Sequence, residues 1–125
     1  EGDTFTCDHV VIAAGAHSPY LLPELQKYMR PTGHPIFWLK PKNPDLFRTP
    51  YLPVFTADIA NTGWYGFPYH ANVVKVANHS SGQALHPEKD EKIVSEVAIE
   101  KMRTFLETSF PSLGSTTILK LKDFQ

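Results

Sequence analysis

The stretch Gly63–His79 constrains the fold of this 125-residue chain more than any other. Aromatic residues stand at Trp64, Tyr65 and Phe67, and valines at Val73, Val74 and Val76, with Pro68 and Asn72 between the two runs. Aromatic and β-branched side chains suit a half-buried pleated surface, so the two runs read as the strands of a hairpin. Pro68 is expected to stop the first strand, and the residues up to Asn72 to form the loop. Alternation places Tyr65 and Phe67 on one face of the first strand, and Val73, Lys75, Ala77 and His79 on one face of the second. A lysine and a histidine on an otherwise apolar strand face need an explanation.

The length allows one domain at most with a modest core. A net charge of −1 favours neither nucleic acid nor an anionic membrane as partner. No apolar run approaches the roughly 18 residues of a spanning helix. The single cysteine, Cys7, has no internal disulfide partner, which points to a reducing, intracellular compartment, cytoplasmic or peroxisomal. No feature sets an oligomeric state. The chain opens in Glu-Gly-Asp-Thr-Phe-Thr and closes in a strand-like run over 116–125. Both ends therefore read as cut within a sheet, as in a piece of a larger protein.

Residues 8–16 form an apolar run ending in Ala13-Ala14-Gly15-Ala16. This pattern predicts a strand buried on both faces, as in a parallel α/β sheet, followed by a turn whose small residues let the backbone approach another element or a ligand. Ser18 reads as an N-cap with Pro19 at the first helical position, and the helix is expected to run to Met29. Ile36–Leu39 reads as a strand leaving that first layer, 42–53 as a loop with a short helical turn, and 52–57 as a further strand. Consecutive strands with tight turns predict an antiparallel sheet here. Ile93, Val94, Val97, Ala98, Met102, Phe105, Leu106 and Phe110 recur at three- and four-residue steps, the pattern of an amphipathic helix ended by Pro111.

Six histidines raise the question of a metal, yet no ligand-type spacing occurs among them, so no metal is expected. Nucleophile-elbow and P-loop motifs are absent as well. Cys7, next to the apolar run, reads as a packing residue. Lys75 has two readings. It is an edge-strand or snorkelling lysine, or it is a cation held in an apolar pocket beside a reacting centre. His79 and Tyr65, each alone, are ordinary structural residues; on facing strands with Lys75 they form a candidate site.

Three blocks carry a family resemblance: Val10-Val11-Ile12-Ala13-Ala14-Gly15-Ala16 with Leu21-Leu22-Pro23, Tyr65-Gly66-Phe67-Pro68, and Val74-Lys75-Val76-Ala77-Asn78-His79 followed by Gly82 and Pro87. In order and spacing they resemble the FAD-dependent amine oxidoreductases of the D-amino acid oxidase superfamily, in particular monomeric sarcosine oxidase, N-methyl amino acid oxidases and fructosyl amino acid oxidases. The resemblance implies an α+β piece: a mainly antiparallel substrate-domain sheet with flanking helices, plus a terminal strand of an α/β FAD-binding domain, truncated at both ends. Residues 1–30 would belong to the FAD-binding domain and 31–125 to the substrate-binding domain.

The same resemblance implies that Ala14, Gly15 and Ala16 close against FAD, that Tyr65 lines the substrate pocket, and that Lys75 and His79 lie in the active site. The implied reaction oxidises a secondary amine or N-substituted amino acid to an imine, with oxygen reduced to hydrogen peroxide. The chain departs from the family pattern in three places. No Gly-x-Gly-x-x-Gly fingerprint is present, His17 stands where an aromatic is common, and 115–125 match poorly. The 125-residue chain by itself is therefore expected neither to retain FAD nor to turn over. A non-enzymatic ligand-binding or interaction module and a dehydrogenase using another electron acceptor remain open as alternatives.

Overall fold

The computed structural model describes residues 2–80 and 82–124, the side chains of 120–124 excepted. Glu1, Ser81 and Gln125, which fall in the opening turn, the Ser80–Gln83 loop and the closing strand expected above, lie outside the described residues.

Six strands form one antiparallel sheet: β1 (Thr32–Lys40), β2 (Phe55–Ala57), β3 (Trp64–His70), β4 (Val73–Asn78), β5 (Gln83–Ala84) and β6 (Thr117–Phe124). The order is β2-β3-β4-β1-β5, with β6 also paired to β1. Ile36 pairs with Ala77 of β4 and with Lys122 of β6, so β1 is flanked on both sides and is central. Within the closing run expected at 116–125, Thr117–Phe124 form a strand paired along β1.

The hairpin forms with one change. Pro68 does not stop β3; the strand passes through it to His70, and the register shifts between Phe67 and His70. A proline lacks the ladder N–H, and a bulge is where a strand tolerates that loss. The loop is then two residues, Ala71 and Asn72, both at positive φ (49° and 69°), the backbone of a tight hairpin turn whose twist matches the strands.

Directly opposite residues share a sheet face, which sorts the strands into two rows of side chains. Phe37, Leu39, Val74, Val76 and Trp64 point to one face, where they are buried against Met102, Leu106 and Leu113. Those three come from α2 (Glu96–Ser109) and α3 (Pro111–Gly114). Each fully buried aliphatic or aromatic side chain of this layer contributes about 1.5–3 kcal/mol. Gly66 belongs to the same layer because the ring of Phe55 lies across it, 2.5 Å from where a Cβ would stand.

Helix α2 starts later than the apolar repeat predicts. Ser95 is its N-cap, its Oγ accepting from the Ala98 N–H at 3.2 Å, so Ile93 and Val94 precede the helix. Its core stripe runs through Ala98, Met102, Phe105 and Leu106, while Val97, one residue off that stripe, is 59% exposed. Pro111 ends α2 and opens α3, and the Arg103 guanidinium donates to the Gly114 carbonyl at 2.6 Å.

The N-terminal segment differs most from expectation. Residues 8–14 form no strand, and Val10 and Val11 are 75% and 89% exposed. A strand of a parallel sheet needs neighbours to complete its ladder, and no strand among the described residues lies beside this run. The helix expected from Ser18 to Met29 is only α1 (Ser18–Leu21), followed by a 3-10 turn over Pro23–Lys27. Pro23 sets this break: it forces Leu22 out of the helical region, to φ −123° and ψ 90°. The cap is His17 rather than Ser18, which is buried inside the first turn. Contacts to 86–90 anchor the segment. Tyr20 packs on the His86 ring at 4.2 Å, and His86 Nδ1 accepts the Glu88 and Lys89 N–H groups.

Candidate functional site

The face of the sheet away from α2 carries the candidate site. Opposite pairs set two rows across it: Trp38–Lys75–Phe67 and Ile36–Ala77–Tyr65. Lys75 Nζ stands 4.9 Å from the centre of the Phe67 ring, 5.7 Å from Tyr65 and 5.9 Å from Trp38. A cation at these distances is attracted to the ring faces. Among the described residues the ion pairs are His17–Glu88 and Arg48–Asp45, and Lys75 is in neither. Its charge is held by rings, which do not cancel it.

His79 lies just past the end of β4, where its N–H donates to the Gly63 carbonyl at 2.7 Å and fixes its backbone. Its ring meets the Tyr65 ring edge-on at 6.4 Å and stacks with His34 at 6.1 Å. Lys75, Tyr65 and His79, the three residues read from the sequence, therefore form one group around Tyr65. The register puts Tyr65 and Phe67 on the same face as Lys75.

Ala14 caps the 3-10 turn Gly15–His17, accepting the His17 N–H at 3.0 Å. Gly15 and Ala16 line a cleft of about 400 Å³ together with Pro19, Arg30, Thr32 and His34. Ala14 itself does not line it. Gly15 has φ +51° and open space where a side chain would be, so its backbone is accessible to a ligand. The cleft and the Lys75 group meet at one residue, His34, which lines the first and stacks on His79 of the second. Its Nδ1 is buried without a hydrogen-bond partner among the described residues, while Nε2 lies 3.2 Å from Thr32 Oγ1. A buried, unpaired ring nitrogen costs free energy unless something binds it.

Two residues of this face, His34 and Trp38, escaped the sequence reading. Their signal is the alternation His34-Ile36-Trp38 along β1, which puts all three on one side. That this side is also the side of Lys75 depends on the β1–β4 pairing, across a separation in sequence that no local pattern spans.

Residues 1–121 match a family model described as FAD dependent oxidoreductase. The chain belongs to that family. Curated relatives of this chain include an N-methyl-L-tryptophan oxidase of Citrobacter koseri, 29% identical over 108 residues, which covers 84% of this chain and 28% of the relative. Others are the N-methyl-L-tryptophan oxidases of Escherichia coli O17:K52:H18 (26% over 117 residues, 91% of this chain and 30% of the relative) and of Escherichia coli K12 (27% over 107 residues, 83% and 28%). The chain spans less than a third of the length of these relatives. FAD is the family's cofactor. The residues present fit part of such a group: an open-backed turn at Gly15, an imidazole at its cleft whose buried Nδ1 has no partner among the described residues, and aromatic rings around a cation. Among the described residues no helix is long and apolar enough to cross a membrane.

Proposed function

We propose that this chain supplies the substrate-side wall of a flavin-dependent oxidase acting on the CH–NH group of a secondary amine, an N-methyl amino acid being the class its relatives' names favour. The observation that carries the reading is the Lys75 ammonium, seated among three aromatic rings beside Tyr65 and His79 with no carboxylate partner among the described residues.

Two-electron chemistry would come from bound FAD: a hydride equivalent from the substrate C–H bond, with the N–H proton released, and two electrons passed on to oxygen, which takes up two protons to give peroxide. The protein's part is to hold the amine and to place charge. The rings of Tyr65 and Phe67 give an apolar surface for the substrate's carbon skeleton, and Tyr65 and His79 offer polar atoms at its edge. The imine product leaves to be hydrolysed by water. Oxygen reduction to hydrogen peroxide builds negative charge on oxygen, and Lys75 supplies a fixed positive charge to stabilise it. Ala14, Gly15 and Ala16 would close against the cofactor, where backbone access at Gly15 is the supporting feature. In this reading residues 1–30 belong to the cofactor domain and 31–125 to the substrate domain, so the isolated 125-residue chain neither retains FAD nor turns over.

The full-length protein, supplied with N-methyl amino acids, should consume oxygen and release an equal amount of peroxide. Substrate oxidation without oxygen uptake would instead mark a dehydrogenase. Lys75→Met should slow reoxidation of the reduced protein about a hundredfold or more in stopped-flow measurements, with flavin reduction by substrate little changed. Reoxidation at the parent rate would remove Lys75 from the assignment.

A further inference from the structure

We infer that Trp38 is a positioning residue for the Lys75 ammonium, acting with Phe67 as the two sides of a clamp. This rests on the role proposed for Lys75 and adds how that role is set up. Register is the first observation: Trp38 on β1 and Phe67 on β3 each stand directly opposite Lys75 on β4. Directly opposite residues are the nearest cross-strand neighbours, so Trp38 and Phe67 flank Lys75 from its two neighbouring strands. Distance is the second: Nζ lies within 6 Å of both ring centres, and Tyr65 adds a third ring on the diagonal.

Lysine has four rotatable side-chain bonds and a point charge, so an unheld ammonium samples a wide volume. A carboxylate neighbour would localise it but would also neutralise it. Aromatic faces localise it and leave its charge for an incoming anion. Trp38 is itself fixed, half-buried on the central strand, with the β1–β6 register shifting between it and Leu39.

The test uses the full-length flavin-loaded protein and its flavin-free form. Trp38→Leu removes one ring, and Trp38→Phe keeps a ring face. The first readout is the rate at which acetic anhydride modifies Lys75, followed by mass spectrometry, with Lys89 as an exposed internal standard. Loss of a flanking ring uncovers the Lys75 side chain and frees it to meet the reagent, so Trp38→Leu should raise the Lys75 rate about two- to fivefold over that of Lys89, while Trp38→Phe stays near the parent. The second readout is the kinetic split: reoxidation by oxygen slows in Trp38→Leu and flavin reduction by substrate does not.

Unchanged Lys75 labelling in a folded Trp38→Leu protein would overturn the inference, as would equal losses in both half-reactions. Should Trp38→Leu fail to fold, Phe67→Leu, at a residue 40% exposed, is read by labelling alone: a raised Lys75 rate supports the inference and an unchanged one overturns it equally. If Lys75→Met leaves reoxidation untouched, the role of Lys75 falls, and the labelling result still decides for or against the clamp.

Discussion

The indole of Trp64 lies flat on the ring of Phe105, with centroids 5.0 Å apart and planes 10° from parallel. This stack fastens β3 to α2, and the aromatic contact continues through Phe110, 6.1 Å from Phe105, to Phe55 on β2, 4.8 Å from Phe110. The next residue of β3, Tyr65, points to the opposite face and to the candidate site. One short strand therefore alternates between holding the helix and lining the site, and the rigidity of the first face limits how far the second can move.

Phe105→Ala should cost about 3 kcal/mol, since it removes a large ring from a packed aromatic chain and leaves a cavity against Trp64. Urea denaturation of the protein measures it. The Lys75 face makes no contact with this ring, so the relative labelling rate of Lys75 in the folded variant should equal that of the parent. A loss under about 1 kcal/mol would show that Trp64 repacks without its partner.

Much of this architecture is legible in the residues themselves, and the parts that are not have a common cause. The hairpin, the alternation that puts Tyr65 with Phe67 and Lys75 with Ala77, and the helix around Met102 and Leu106 all follow from periodicity within a short window. Pro68 misleads because a bulge, a feature of the pair rather than of the strand, accommodates it. Leu22 leaves the helix because of Pro23, a signal present in the sequence but outweighed by the leucine spacing. Val10 and Val11 read as doubly buried, and that burial would have to come from strands not found among the described residues. His34 and Trp38 enter the site through the β1–β4 ladder, and strand pairing over such a separation leaves no local mark.

Gly66→Ala should destabilise by about 1–3 kcal/mol. The new methyl would stand 2.5 Å from Cε1 of Phe55 and 2.7 Å from the Lys75 carbonyl oxygen. The ring can rotate aside, but the carbonyl is backbone, so β4 must shift at Lys75. A drop in stability should therefore come with altered Lys75 labelling. Gly2→Ala, where nothing lies within 4 Å of the added carbon, is the control and should be neutral.

Ser95→Ala should lower stability by about 1 kcal/mol, because the Ala98 N–H loses the side-chain oxygen that caps α2. Ser95→Asp should restore most of it, as an aspartate accepts the same bond and adds charge at the helix N-terminus. Thermal unfolding of the three proteins under one buffer gives the ranking. Equal midpoints for serine and alanine would mean that water caps the helix as well as Ser95 does.

Asp58 closes the turn that leads into β3, at φ +49°. Its carboxylate accepts from the Thr62 hydroxyl at 2.7 Å, the Asn61 amide at 2.7 Å and the Thr62 N–H at 3.2 Å. The Thr62 hydroxyl and then the Asn61 amide hold its pKa below the ordinary 3.8, since all three bonds need the charged form. A carboxyl with a lowered folded-state pKa stabilises the fold above its unfolded value and loses that contribution as pH falls through the folded one. The turn should accordingly be tight at neutral pH and loosen below about pH 4. It also carries Gly63, whose carbonyl accepts the His79 N–H, and Thr62, whose carbonyl accepts from the Asn78 side chain. Acid should therefore speed amide exchange at Thr62, Gly63 and His79 together, relative to the core of β4 at Val74 and Val76. Asp58→Ala should show the fast pattern already at neutral pH, with no further change on acidification; a His79 amide that stays protected in that variant would separate the turn from the site.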